Sequence, residues 1–181
     1  MNLPNLISLG RLLSVPVAIW LVLSGELAAT FWLFVAAGVS DAVDGFIAKR
    51  FNQRTRLGAL LDPLADKALL VSMYVTLGIG GYLLNWLVIL VVFRDVLIVG
   101  GWLLVAALGQ RMRWEPLYVS KLNTALQIAL VAVVLARLGL GVHDFGLGLA
   151  LTYGAGATTL ISGAGYLVRW AGALAGVETD T

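Results

Sequence analysis

The chain has no cysteine and one histidine among its 181 residues. Disulfides, thiolate metal sites and a cysteine nucleophile are therefore excluded. Charge is scarce as well: 12% of residues are Asp, Glu, Lys or Arg against 60% hydrophobic, and the mean hydropathy is +0.95. So few charges cannot cover the surface of an ordinary soluble domain, and the chain reads as an integral membrane protein.

What is present is apolar length. Six stretches, 6–24, 27–48, 58–83, 85–109, 117–138 and 145–170, each lie near the ~20 residues that cross a bilayer core. They run continuously rather than alternating with period two, which favours helices over a barrel. The expected fold class is all-α integral membrane, six transmembrane helices with a short N-terminal interfacial segment at "NLPNLISLGR". One membrane domain is expected over 1–175, with a tail at 176–181. Arg11 inside the first stretch, with no clear cleavage site, marks a retained helix rather than a signal peptide. Pro16 is a candidate kink in that helix.

The cations are unevenly placed. Lys49, Arg50, Arg54 and Arg56 follow the second stretch, and Arg111 and Arg113 follow the fourth, so these linkers are expected on the cytoplasmic side. The connections "SGE" and "GGYLLN" carry no positive charge, as a chain with both termini inside requires; Arg137 is the exception to the pattern. The basic linkers also suit anionic lipid head groups.

Against this background the segment "SDAVDGFIAKRFNQRTRLGALLDPLADK" stands out. A charge at the bilayer centre costs about 2.5 to 3.5 kcal/mol even on a lenient scale, so its aspartates need compensation. Asp41 and Asp44 are three apart and Asp62 and Asp66 four apart, which puts each pair on one helix face. Consecutive helices joined by a short linker are expected to be antiparallel neighbours, so the four carboxylates converge. Lys67 and Arg50 do not obviously neutralise them. A hard divalent cation, Mg²⁺ or Mn²⁺, matches an all-oxygen donor set, and four carboxylates have room for two ions, an arrangement suited to displacement at phosphorus. Gly45 and Gly58 leave space for a ligand near the backbone. Two other readings stay open at this point: ion pairs with Lys67, Arg94 and Lys121, or an ion or proton path in a transporter.

The spacing Asp41-x-x-Asp44-Gly45-x-x-Ala48-Lys49, eight residues, Gly58-x-x-x-Asp62-x-x-x-Asp66 resembles the signature of the CDP-alcohol phosphotransferase family. The family usually has arginine where this chain has Lys49, which keeps the charge but not the bidentate fork. The resemblance implies a six-helix membrane enzyme, commonly a homodimer, that moves a substituted phosphate from a CDP-linked donor to an alcohol. It implies that Asp41, Asp44 and Asp62 ligate metal, that Asp66 contacts metal and acts as base, and that Gly45, Ala48, Lys49 and Gly58 line the CDP site. Within the family, "NLPNLISLGR" and "GALLDPLADK" are similar to the branch using CDP-diacylglycerol. "FRDVLIV" and "YVSKLNTALQ" look more like CMP-forming cardiolipin synthases than phosphatidylglycerophosphate synthases. The expected acceptor is then phosphatidylglycerol, with glycerol 3-phosphate as the alternative. The implied location is a bacterial or mitochondrial inner membrane, with the active site on the cytoplasmic or matrix side. No nucleic-acid partner is expected.

Either acceptor carries a phosphate, and Arg94, Lys121 and Arg11 are candidates to receive it. The competing reading for Arg94 and Lys121 is an internal ion pair, and for Arg11 snorkelling to head groups. Asn123 and Gln127 suit substrate contacts or interhelical hydrogen bonds, His143 a solvated loop, and the six tryptophans interfacial anchoring. An intramembrane prenyltransferase is a further alternative, but there paired aspartate motifs usually lie far apart in sequence.

Overall fold

The computed structural model describes the backbone of residues 3–50, 56–107 and 118–178, and their side chains except at 3–6, 42, 44–50, 56–64, 102–107 and 171–178. Its six helices are α1 (Leu3–Leu23), α2 (Leu27–Arg50), α3 (Arg56–Ile79), α4 (Asn85–Ala107), α5 (Tyr118–Leu140) and α6 (Leu147–Glu178), with no strand among the described residues. They match the six apolar stretches to within a few residues at most ends, and α6 runs on to Glu178. Helix α1 is continuous from Leu3, so the "LPN" of the expected interfacial lead-in forms its first turn. Pro4 stands there at a position whose N–H has no helical acceptor, so proline is tolerated. Pro16 lies inside α1 and removes one backbone hydrogen bond without ending the helix.

Two helix ends show why the connections are short. Glu26 N–H donates to Leu21 O at 2.9 Å and Gly25 N–H to Val22 O at 3.1 Å, while Tyr82 N–H donates to Leu77 O at 2.8 Å and Gly81 N–H to Gly78 O at 2.9 Å. Both are Schellman ends, and each needs a left-handed residue, supplied by Gly25 (φ 78) and Gly81 (φ 73).

Among the described residues, Tyr118–Leu140 is the one helix long and apolar enough to cross a bilayer by its composition, and within α1 and α2 the described side chains form shorter apolar stretches, Ile7–Leu23 and Leu27–Asp41. Large apolar side chains face outward all along the chain, including Leu13, Trp20, Trp32, Ile79, Ile89 and Val168.

The chain forms two compact units, one of Met1–Leu84 with Val131–Gly148 and one of Asn85–Leu130 with Leu149–Thr181. In the first, α1 packs on both α2 and α3. The buried positions recur at three- and four-residue steps: Ser8, Arg11, Ala18 and Val22 on α1, Leu27, Thr30, Phe34 and Ala37 on α2, and Leu69, Met73 and Leu77 on α3. Such stripes are what helices packed along one face require. In the second unit, Leu87, Val91 and Arg94 of α4, Asn123, Gln127 and Leu130 of α5, and Thr152, Ala155, Thr159, Ser162 and Tyr166 of α6 form the buried faces. That second core is far more polar than the first.

Candidate functional site

The buried stripe of α2, Leu27, Thr30, Phe34 and Ala37, reaches Asp41 after one more step of four, so the packing that buries Phe34 also turns Asp41 toward α1. On α3 the stripe Leu69, Met73, Leu77 reaches Asp66 one step of three in the other direction. Arg11 of α1 stands where the two meet. Its Nη1 donates to Asp41 Oδ1 at 2.9 Å and also to Asp66 Oδ1. The arginine side chain is 2% exposed, whereas the two carboxylates are 46% and 45% exposed. Each carboxylate therefore rests on a buried cation while nearly half of its side-chain surface is exposed.

This arrangement corrects two expectations. Arg11 does not snorkel, since its head group is buried between two acids. The repulsion among the motif aspartates is also not left without a nearby cation: Arg11 of α1 supplies one. Asp41 and Asp66 are thus brought together from residues 30 and 55 positions away from Arg11. The side chains of Asp44, Gly45, Ala48, Lys49, Gly58 and Asp62 lie outside the described residues. Among the described residues no group of three or more His, Cys, Asp or Glu is placed to hold a metal ion.

A model of the CDP-alcohol phosphatidyltransferase family matches residues 1–164 of the chain. The chain belongs to this family. A relative from Oryza sativa, named CDP-diacylglycerol–glycerol-3-phosphate 3-phosphatidyltransferase 1, chloroplastic, is 32% identical over 188 residues, covering 94% of this chain and 57% of its own length. The human cardiolipin synthase (CMP-forming) is 34% identical over 151 residues, 75% of this chain and 50% of its own. A putative cardiolipin synthase of Mycobacterium tuberculosis is 39% identical over 103 residues, 55% of this chain and 48% of its own. The chain spans about half the length of these curated relatives.

Within a CDP-alcohol phosphatidyltransferase the remaining cations take on distinct roles. Arg94, 3% exposed, donates through Nη1 to Asp95 at 2.7 Å, through Nε and Nη2 to Ser162 at 3.3 and 2.7 Å, and through Nη2 to Ser120. Its guanidinium also lies 5.9 Å from the centre of the Tyr166 ring. The internal ion pair is therefore present, and with it a hub that ties α4 to α5 and α6. Lys121, by contrast, is exposed, forms no ion pair among the described residues, and has its ammonium 5.7 Å from the Tyr118 ring centre. Of the three phosphate candidates, Arg11 and Arg94 are engaged with acids, and Lys121 is engaged with none among the described residues.

Asn123 makes interhelical bonds: the hydroxyls of Thr158 and Thr159 both donate to its Oδ1 at 2.9 Å. Gln127 is buried one turn further along α5. His143 is exposed in the connection between α5 and α6, its ring 6.2 Å from that of Phe145. Trp20 and Trp32 are exposed near helix ends, as anchors would be. Trp170 is not of that kind, because its indole lies over Gly101, where no side chain could fit beside it.

Sequence reasoning did not pair Arg11 with the motif. The available signal was its placement: a lone arginine in the middle of an apolar stretch needs an acid, and most acids within the other apolar stretches are the motif's own.

Proposed function

We propose that this chain is a phosphatidyltransferase of six transmembrane helices, organised as a single domain over 1–175 and acting as a homodimer. It transfers the phosphatidyl group of CDP-diacylglycerol to the terminal hydroxyl of phosphatidylglycerol, giving cardiolipin and CMP. The observation that carries this reading is the convergence of Asp41 and Asp66 on one buried cation. Two acids from different motif halves come together there, as a shared site requires, and their exposed surfaces supply oxygen donors of the kind that Mg²⁺ and Mn²⁺ prefer.

Asp41, Asp44, Asp62 and Asp66 would hold one or two such ions. When bound, these ions supply positive charge to the phosphate oxygens of the donor. Lys49 attracts the diphosphate as a point charge, and Gly45, Ala48 and Gly58 leave room for the CDP moiety. The acceptor hydroxyl forms the new bond to the phosphorus bearing the diacylglycerol, the bond from that phosphorus to CMP breaks, and the hydroxyl proton goes to Asp66. Lys121, exposed and unengaged with acids among the described residues, receives the acceptor phosphate.

A second reading is favoured by the Oryza sativa relative, which matches over 94% of the chain and whose name specifies glycerol 3-phosphate as acceptor. That reading makes the protein a phosphatidylglycerophosphate synthase with the same donor and the same aspartates. The test is CMP release from CDP-diacylglycerol by purified protein in lipid with Mg²⁺ or Mn²⁺, offering phosphatidylglycerol and glycerol 3-phosphate in parallel and identifying the lipid product. Cardiolipin supports the first reading, phosphatidylglycerophosphate the second. Absence of CMP with either acceptor counts against both and directs attention to other CDP-linked donors and then to the transport alternative, which predicts ion flux.

A further inference from the structure

Arg11 raises a question of charge that the proposed reaction leaves open. Its Nη1 sits on the Oδ1 atoms of both Asp41 and Asp66, two of the acids placed in the metal site. Arginine stays protonated in proteins, and this one is 4% exposed, so in this structure its charge is buried beside the two carboxylates. A guanidinium and a divalent cation brought to the same two carboxylates repel one another and compete for the same oxygens.

The helix beneath Arg11 is held in place. Helix α1 packs on both α2 and α3, and Ser14 Oγ donates to the Arg11 carbonyl at 2.7 Å, so the backbone does not carry the charge elsewhere. The side chain, with several rotatable bonds, is the part that can move. The carboxylates are partly exposed, at 46% and 45%, so a cation can approach them without first moving the helices.

We propose that Arg11 is the resident counter-cation of the site. While no divalent ion is bound, it holds Asp41 and Asp66 converged against their mutual repulsion; when the ion binds, the guanidinium is displaced from their oxygens. Arg11 is thus a positioning residue acting through the two aspartates. It weakens metal binding while keeping the metal-free site assembled. The inference rests on the metal-site reading of the preceding section.

The experiment is Mn²⁺ binding, followed by electron paramagnetic resonance, together with thermal unfolding with and without Mn²⁺, on the full chain in nanodiscs. The proteins compared are the wild type, Arg11→Met and Arg11→Lys. Arg11→Met is expected to bind Mn²⁺ at least about tenfold more tightly, because a like charge has been removed from the ion's neighbourhood. Its metal-free form unfolds at lower temperature, and Mn²⁺ restores more of that loss than it adds to the wild type. Arg11→Lys, which keeps the charge, stays near the wild-type affinity.

Mn²⁺ affinity in Arg11→Met that is unchanged or weaker, or equal tightening in Arg11→Lys, overturns the proposal. A merely structural arginine would lower both unfolding temperatures equally and leave the affinity alone. Should Arg11→Met fail to fold, a structure of the wild type with Mn²⁺ decides: loss of at least one of the two Arg11 contacts supports displacement, and retention of both overturns it. No Mn²⁺ binding by the folded wild type overturns the metal-site reading itself, and this inference with it.

Discussion

Gly139 of α5 and Ala28 of α2 leave no room for a side chain between them. A Cβ placed on Gly139 would lie 2.5 Å from the Ala28 backbone nitrogen and 2.6 Å from the Leu27 carbonyl carbon. Backbone atoms cannot rotate aside as a side-chain tip can, so the two helices would have to part. Gly139→Ala is therefore expected to destabilise by about 1 to 3 kcal/mol, the usual cost of overpacking. Gly38→Ala, with nothing within 4 Å of the added methyl, is expected to be neutral or stabilising by up to about 1 kcal/mol. Thermal unfolding of both variants in the same detergent checks the contrast.

Arg94 and Asp95 form the most deeply buried ion pair among the described residues, at 3% and 8% side-chain exposure. Removing only the cation takes the Arg94 partner from a buried carboxylate, so Arg94→Met is expected to cost up to about 3 to 5 kcal/mol. Adding Asp95→Asn to Arg94→Met should recover a large part of that loss, because no uncompensated charge remains. Folded yield and unfolding temperature of the single and double variants measure it. If the double variant is no better than the single one, the bonds of Arg94 to Ser120 and Ser162 dominate instead.

The Asn123 network should be worth less than its geometry suggests. Thr158 Oγ1 also reaches Gly154 O at 2.8 Å and Thr159 Oγ1 reaches Ala155 O at 2.6 Å, so each hydroxyl divides one proton between two acceptors. A double-mutant cycle of Asn123→Ala with Thr159→Val is expected to give a coupling of about 0.6 kcal/mol, the average for interhelical hydrogen bonds in membrane proteins.

Lys121 is the phosphate candidate not engaged with an acid among the described residues. On the proposed assignment Lys121→Ala raises the KM for the acceptor phospholipid by about tenfold, the equivalent of one charge-assisted contact, and leaves the KM for CDP-diacylglycerol unchanged. Steady-state kinetics with each substrate varied in turn separate the two. A change confined to the donor KM would remove Lys121 from the acceptor site.

Asp66 and Lys49 are assigned to different steps and should fail differently. Asp66→Asn is expected to abolish CMP release while the protein still inserts and unfolds cooperatively. Lys49→Ala is expected mainly to raise the donor KM, since a point charge on a diphosphate contributes to binding before it contributes to turnover. Near-normal turnover in Asp66→Asn would remove the base assignment, and an unchanged donor KM in Lys49→Ala would remove the phosphate contact.

Much of the architecture is legible from local pattern. Continuous apolar runs near the span of a bilayer mark six helices, and all six are present, because a long apolar helix satisfies its own backbone whatever surrounds it. The motif aspartates are equally legible, since three- and four-residue spacing puts each pair on one helix face without reference to any neighbour. Pro4 of the expected lead-in fits a helix as well, because proline is tolerated in a first turn.

The partners of the charges were only partly legible: an ion pair of Arg94 near Asp95 was one of two readings, and that of Arg11 was not foreseen. Arg11 meets Asp41 and Asp66 across 30 and 55 positions, a pairing set by α1 lying against both α2 and α3. Arg94 pairs with its own neighbour Asp95, although adjacent helical residues point about 100° apart, because the arginine side chain is long enough to reach back. Lys121, given the same two readings as Arg94, ends exposed beside Tyr118.

By itself, then, the sequence determined that the chain is helical and apolar and that it carries four aspartates in two pairs spaced to share a helix face, because these follow from composition and from the helical repeat. Which cation neutralises which acid was decided only by the tertiary structure. Ion pairs depend on distances of a few ångströms between residues far apart in the chain, and packing alone sets those distances.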